Sequence, residues 1–267
     1  MSTDLKQVAT VSGRHGIRME QFGHGRPLLL LHGGGGPATC RAFAESAADS
    51  FTVLLPAHPG FDGTQRPGGI ETVRDIANAY AAVLAEAGLT DIIVVGSSMG
   101  GWIAAELAIS FPHLLSGLIL LDPVGIEVEG QEVMNVNAIP PAEIAGYSYH
   151  RPERFRVDPS ALSAEMRAAM QANFATLAHY AADHYMQDPA LAGRLGGVDV
   201  PTLVLWGESD RIVRPAYGRA FADAIPGATF RIIAECGHLP QIEQPAMVRK
   251  ALVQFAAGLS DVSLPVC

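Results

Sequence analysis

An α/β fold, with a mostly parallel central sheet, helices on both faces and an inserted helical cap, is what this 267-residue sequence predicts. Three observations carry the expectation. Short apolar runs alternate with helix-like stretches along most of the chain, the pattern of strand–helix–strand crossovers. Glycine-rich turns follow several of the apolar runs, where the backbone has to leave a strand sharply. The alternation stops between Pro123 and Val200, an interval far longer than an ordinary crossover.

Taken in order, Val8 to Val11 and Ile17 to Phe22 alternate apolar and polar residues around Gly13 to Gly16 and read as an opening antiparallel hairpin. Leu28 to Leu31, Thr52 to Leu55, Ile92 to Val95, Gly117 to Leu121, Thr202 to Trp206 and Thr229 to Ile233 read as buried parallel strands. Val73 to Ala87, Trp102 to Phe111, Ala216 to Ala224 and Pro245 to Ala257 read as helices between or after them. Inside the long interval, Pro159-Ser160 opens an amphipathic segment to about Met186, and Asp188 to Leu195 forms a shorter one. The expected organisation is one core from residues 1–123 and 201–267, with residues 124–200 as a helical cap, and Val262 to Cys267 is expected to fray.

With 49% apolar residues the chain can bury the core of one large domain. A formal net charge of −9, with no run of lysines or arginines, argues against a nucleic-acid partner. Met1 to Thr10 lacks the continuous apolar stretch of a signal peptide, and no later segment is apolar for long enough to span a bilayer. A soluble cytoplasmic protein with no membrane partner is the expectation. The three cysteines, Cys40, Cys236 and Cys267, are odd in number and lack metal-ligand spacing, and the histidines form no cluster, so no disulfide framework, metal or cofactor is expected. Apolar surface on the cap or last helix would be compatible with a homodimer, a matter one chain's sequence leaves open.

Gly96-Ser97-Ser98-Met99-Gly100 lies between an apolar strand and a helix. A strand–turn–helix junction this tight needs its glycines for close passage and lifts the central serine clear of the sheet, toward substrate. The Met99 N–H, at the start of the helix, is then placed to stabilise an oxyanion. A plainer reading makes Ser98 a helix N-cap, but it does not account for the matching pieces elsewhere.

A serine hydroxyl needs a base to take its proton and a carboxylate to orient that base. His238, in Glu235-Cys236-Gly237-His238-Leu239-Pro240, is the candidate base, and Asp210, in Gly207-Glu208-Ser209-Asp210, the candidate acid. Each follows a separate strand, and in a parallel sheet such loops emerge at one edge. Asp122, just after the strand ending at Leu121, is the rival acid. Cys236, two residues from His238, is a thiol to consider as a nucleophile, but its place in the base's own loop favours packing.

On these residues, together with His32-Gly33-Gly34-Gly35-Gly36 after Leu28 to Leu31 and Glu243 and Pro245 after the base, the chain resembles the α/β-hydrolase superfamily. The resemblance implies that Gly34 supplies a second oxyanion donor, with Gly35 the next candidate, and that the inserted segment lids the substrate pocket. A phosphate cradle fits less well, because no Lys-Ser/Thr follows the glycine run. His32 reads as a structural histidine.

Gly35, Tyr147, Phe174, Tyr180 and Leu239 are the candidate substrate contacts, most of them part of a cap and rim rich in apolar and aromatic side chains. The small-molecule substrate expected is a small to medium, largely apolar carboxylic ester or lactone, cleaved through an acyl-enzyme. Arg151, Arg154 and Arg156 would bind a carboxylate only if turned inward. Serine at the elbow disfavours haloalkane dehalogenase and epoxide hydrolase chemistry, which uses aspartate there. Carbon–carbon hydrolases of aromatic ring-cleavage products are the main alternative. They typically carry asparagine before the nucleophile and tryptophan after the base, where this chain has Ser97 and Leu239. A cofactor-free perhydrolase and a slow-turnover ligand receptor on the same fold remain further alternatives.

Overall fold

A computed structural model of the chain describes residues 9–12, 17–156, 161–181 and 184–261. Eight strands, β1 (Ala9–Ser12), β2 (Arg18–Phe22), β3 (Arg26–Leu31), β4 (Phe51–Pro56), β5 (Ile92–Ser97), β6 (Leu115–Leu121), β7 (Thr202–Gly207) and β8 (Thr229–Ile233), form one sheet. Their order is β1-β2-β4-β3-β5-β6-β7-β8. β1 pairs with β2 and β2 with β4 antiparallel, while every pairing from β4 to β8 is parallel. The opening strands run as expected; the link at Gly13 to Gly16, Val8, Pro159-Ser160 and the tail Val262 to Cys267 lie outside the described residues.

Successive residues of the central strands serve opposite faces, as the two-residue period of a strand demands. Leu29, Leu31, Val94, Leu118, Leu120, Val204 and Trp206 join one core with α2 (Val73–Glu86), α3 (Met99–Ser110) and α8 (Pro215–Asp223). Leu28, Leu30, Ile93, Val95, Ile119, Leu121, Leu203 and Leu205 join the other with α1 (Ala38–Ala47) and α9 (Pro245–Asp261). Each such side chain is worth about 1.5–3 kcal/mol when removed from water, which is why these runs read as apolar throughout.

β8 departs from the expected buried strand. It is an edge strand whose Thr229, Arg231 and Ile232 are exposed, because only β7 covers it. α2 begins where Thr72 accepts from the Asp75 N–H and Asp75 answers toward the Thr72 N–H, a capping box that satisfies otherwise orphaned donors.

Between β6 and β7 the chain forms α4 (Pro141–Ser148), α5 (Pro152–Phe155), α6 (Ala164–Ala181) and α7 (Leu191–Arg194). α6 ends at Ala181, short of the expected Met186, whose φ of 56° lies outside helical space. α7 is tied to the core by Arg194, which donates to both carboxylate oxygens of the buried Glu106 at 2.6 and 2.7 Å. That two-pronged pairing compensates the desolvation of Glu106. No described helix is long and apolar enough to cross a membrane.

Candidate active site

β5 ends in the turn that carries Ser98. Its backbone has φ 54° and ψ −119°, a strained conformation for a residue with a side chain. The turn is made possible by two close approaches: a Cβ on Gly96 would lie 2.3 Å from the Gly100 carbonyl oxygen, and one on Gly100 would lie 2.2 Å from that of Leu31. Ser98 does occupy the N-cap position of α3, yet its side chain makes no capping bond. The hydroxyl is turned elsewhere: Oγ lies 2.9 Å from His238 Nε2.

His238 Nδ1 in turn lies 2.8 Å from Asp210 Oδ2. Because an ionised carboxylate only accepts, this contact puts the ring hydrogen on Nδ1 and leaves Nε2 to accept from Ser98. The other oxygen of Asp210 accepts from the Ile212 and Val213 N–H groups at 2.8 and 3.0 Å, so the carboxylate cannot swing away from the ring. All three residues stand just beyond the carboxyl ends of parallel strands, which is how positions so distant in sequence come together.

The loop of His238 is clamped from the inserted segment. The His238 N–H donates to the Ser148 carbonyl oxygen at 2.7 Å. Glu243 accepts from the backbone N–H groups of Gly237, His150 and Arg151 at 2.7, 3.0 and 2.9 Å, joining the base loop to the end of α4. Beneath the glycine loop, His32 and His58 stack with ring centroids 3.7 Å apart. His32 Nδ1 donates to the Gly33 carbonyl oxygen at 2.6 Å and its Nε2 accepts from the His58 N–H at 3.1 Å, so both ring nitrogens are committed to the scaffold. Burial lowers its pKa to about 4 and pushes that of His58 down as well.

Asp122, the rival acid, is buried at the end of β6 with Oδ1 accepting from the Gly207 N–H at 2.9 Å. It does not supply the hydrogen bond seen at His238 Nδ1, yet one of its oxygens lies within 4.8 Å of both the Asp210 and His238 ligating atoms. That buried trio has the makings of a metal site by type alone; its imidazole and Asp210 carboxylate are bonded to each other, which leaves them engaged. The Cys236 thiol is buried and its pKa raised, first by burial and then by the neighbouring carboxylates, so it stays protonated and unreactive.

Ser98 and His238 open into a cavity of about 150 Å³. The candidate contacts Gly35, Phe174 and Leu239 line it, as does Gly34, together with Val124, Val133, Met134, Val136, Ile144, Leu177, Tyr185, Met186 and Ile212. No Lys, Arg, Asp or Glu is in the lining among the described residues.

Two expected contacts fall elsewhere. Tyr180 donates its hydroxyl to the Pro59 carbonyl oxygen at 3.0 Å and stacks on Phe61, so its ring is spent on holding α6 to the core. Tyr147 packs half-buried against the main core, outside the lining. The arginines near α5 do not line the cavity either, and Arg151 reaches Glu235 at 3.5 Å instead. Sequence reasoning missed Asn173, which bonds the glycine loop from α6. Its spacing with Leu177 and Tyr180 on one helical face was the signal available.

Residues 28–251 match the alpha/beta hydrolase family over most of the chain. The chain belongs to that family. This α/β-hydrolase is 25% identical over 265 residues to a 2-hydroxy-6-oxo-6-phenylhexa-2,4-dienoate hydrolase of Burkholderia cepacia, covering 91% of each chain. It is 27% identical over 249 residues to a 2-hydroxy-6-oxo-2,4-heptadienoate hydrolase of Pseudomonas putida, covering 85% of this chain and 87% of that one. Among solved structures, a thermophilic esterase from Thermogutta terrifontis superimposes with a TM-score of 0.74 at 26% identity, over 95% of this chain and 99% of the other.

Proposed function

We propose that this hydrolase cleaves the bond beside a carbonyl carbon in a small to medium, largely apolar substrate. Ser98 is the nucleophile, His238 the general base and then acid, and Asp210 the group that orients the ring. The observation that supports this is the continuous hydrogen-bonded series Ser98–His238–Asp210, whose hydroxyl end faces an uncharged cavity.

As Ser98 Oγ attacks, its proton passes to His238 Nε2, and the carbonyl oxygen becomes an anion. As the first residue of α3, Met99 carries an N–H that its own helix leaves unbonded, and it is the first donor for that oxygen. Gly34, which lines the cavity, is the second donor. Collapse expels the leaving group, protonated by His238, and water then releases the acyl group by the same route. Residues 124–200 act as the cap, since they carry most of the apolar lining. A cavity of about 150 Å³ is about the size that holds one benzene molecule, which sets the scale of the group seated beside Ser98.

Between the two bond classes, the curated relatives lend more support to the carbon–carbon alternative than to the ester first expected. A 6-oxo-dienoate has no ester to cleave, so hydrolysis has to break the carbon–carbon bond next to its ketone, and both curated relatives described above are named for such substrates. We take that as the leading reading. The ester or lactone reading is retained for two observations. A dienoate carries a carboxylate, and the lining offers it no cation. Ser97, where those hydrolases typically have asparagine, is buried with its hydroxyl donating to Gln241 Oε1 at 3.3 Å, outside the lining.

Steady-state kcat/KM on a 6-alkyl or 6-phenyl-6-oxo-dienoate, set beside p-nitrophenyl butyrate and a medium-chain lactone, separates the readings. A preference of about tenfold or more, near 1.4 kcal/mol in transition-state binding, for the dienoate supports carbon–carbon cleavage, and the reverse preference supports ester hydrolysis. Turnover that survives unchanged in Ser98→Ala would refute both.

A further inference from the structure

Asp122 is a second acid beside the catalytic pair, and neither of the roles above uses it. It sits in left-handed backbone, φ 44°, between Leu121 and Pro123, and its N–H donates to the Leu205 carbonyl oxygen at 3.1 Å. Its side chain is buried. Oδ1 accepts from Gly207, while Oδ2, equally enclosed, has no hydrogen-bond partner among the described residues. An enclosed carboxylate oxygen left without a donor is costly.

The neighbour that matters is Asp210. A carboxylate oxygen of Asp122, one of Asp210 and a ring nitrogen of His238 all lie within 4.8 Å of one another, in a region with little water to screen them. Two ionised carboxylates there would repel strongly, and a single proton on one of them removes the repulsion and lets it donate to the other. Hydrogen bonding decides which one holds it. Asp210 accepts from three donors, His238 Nδ1, Ile212 N and Val213 N, whereas Asp122 accepts from Gly207 alone, so a proton on Asp122 disturbs the fewest hydrogen bonds. Of the remaining titratable neighbours, His238 gives its Nδ1 hydrogen to Asp210 and burial keeps the Cys236 thiol neutral, so neither offsets a charge on Asp122. Burial first, and the Asp210 charge second, push the Asp122 carboxyl well above the ordinary carboxylate range.

We propose that Asp122 is a positioning residue: it stays protonated at neutral pH and donates a hydrogen bond to Asp210, so that the two acids present one fixed negative charge to His238. The proposal rests on the catalytic roles assigned above. It also accounts for two acids lying together at the ends of β6 and β7 with only one bonded to the imidazole.

Protonation is tested directly by infrared difference spectroscopy of the wild-type protein against Asp122→Asn at pH 8. The C=O stretch of a protonated carboxyl is expected in the wild type and absent from the variant; its absence from both overturns the proposal. The positioning role is tested by the rate at which a fluorophosphonate labels Ser98 as a function of pH. Asp122→Ala is expected to slow labelling by about tenfold or more and to move the acidic limb to higher pH, because Asp210 then meets His238 with its charge undispersed. Asp122→Asn, whose amide can donate in the same direction and whose residue type tolerates left-handed backbone, is expected to recover most of that loss. Asn as slow as Ala, or Ala as fast as wild type, overturns it. Should Asp122→Ala not fold, the infrared band and the Asn variant still decide, since a drop of about a hundredfold or more in Asp122→Asn would mark Asp122 as a working anion. A wild-type protein that is not labelled at Ser98 would instead count against the proposed function, with the infrared result unaffected.

Discussion

Asn173 of the inserted helix α6 donates from Nδ2 to the Gly35 carbonyl oxygen at 3.2 Å, while its Oδ1 accepts from the Asp62 N–H at 2.8 Å. One amide therefore fastens the glycine loop, the loop after β4 and the insertion to each other. Leu177, one turn further along, presses on the same loop: a Cβ on Gly34 would lie 2.6 Å from its Cδ2. Asn173→Ala would remove both hydrogen bonds, one to the half-buried Asp62 and one to the exposed Gly35. A loss of about 1–3 kcal/mol in unfolding free energy is expected, together with a fall in kcat larger than the rise in KM. Urea denaturation and steady-state kinetics measure both, and a variant with unaltered kcat would detach the loop from catalysis.

Ser98→Ala removes a hydroxyl that caps no helix and fills no core. Its turnover is expected to drop by at least ~10³-fold with the melting temperature nearly unchanged. Asp210→Asn should cost about 10³–10⁴-fold, since the wrong tautomer of His238 is then held. If Asp122→Asn were the more damaging of the two, the acid would have to be reassigned.

Glu243 gathers three backbone N–H groups from two segments and so controls where His238 stands. Glu243→Gln keeps the volume and one acceptor oxygen but loses the charge that strengthens those bonds. We expect kcat to fall about tenfold with KM little changed, as for a displaced base. A change confined to KM would place Glu243 in substrate binding instead.

His32 and His58 link stability to acid. The folded state holds His32 neutral, with its pKa lowered from 6.5 to about 4 by burial, and lowers that of His58 in the same direction. In the unfolded chain both take up protons as the pH falls through about 6.5. A lowered folded-state pKa contributes stability that is whole above the unfolded value and is lost as the pH falls toward the folded one. The urea midpoint should therefore decline between about pH 6.5 and 4, and His58→Gln should show a shallower decline. A midpoint independent of pH across that interval would contradict the buried neutral pair.

Much of the plan was legible because the sheet is covered on both sides. Leu28 to Leu31 and Gly117 to Leu121 had to be apolar at every position, so strand and helix stand out without further help. β8 was misjudged for the same reason in reverse: Phe230 and Ile232 look like core residues, but an edge strand leaves them partly in water. In the insertion, Tyr147 and Tyr180 carry the same chemistry as pocket residues, and composition offers no way to tell a ring that lines a cavity from one that braces a helix.

The sequence alone determined the alternation of strand and helix, the glycine-flanked turn at Ser98, and the appearance of an acid and a histidine after later strands, because each follows from local backbone sterics and from one-dimensional apolar patterning. Only the tertiary structure decided that Asp210 rather than Asp122 bonds to His238, that Asn173 and Glu243 hold the loops on which Ser98 and His238 depend, and which insertion side chains face the cavity. Those matters turn on distances of a few ångströms between residues far apart along the chain, set by how strands stack and where the insertion comes to rest, and no local pattern encodes them.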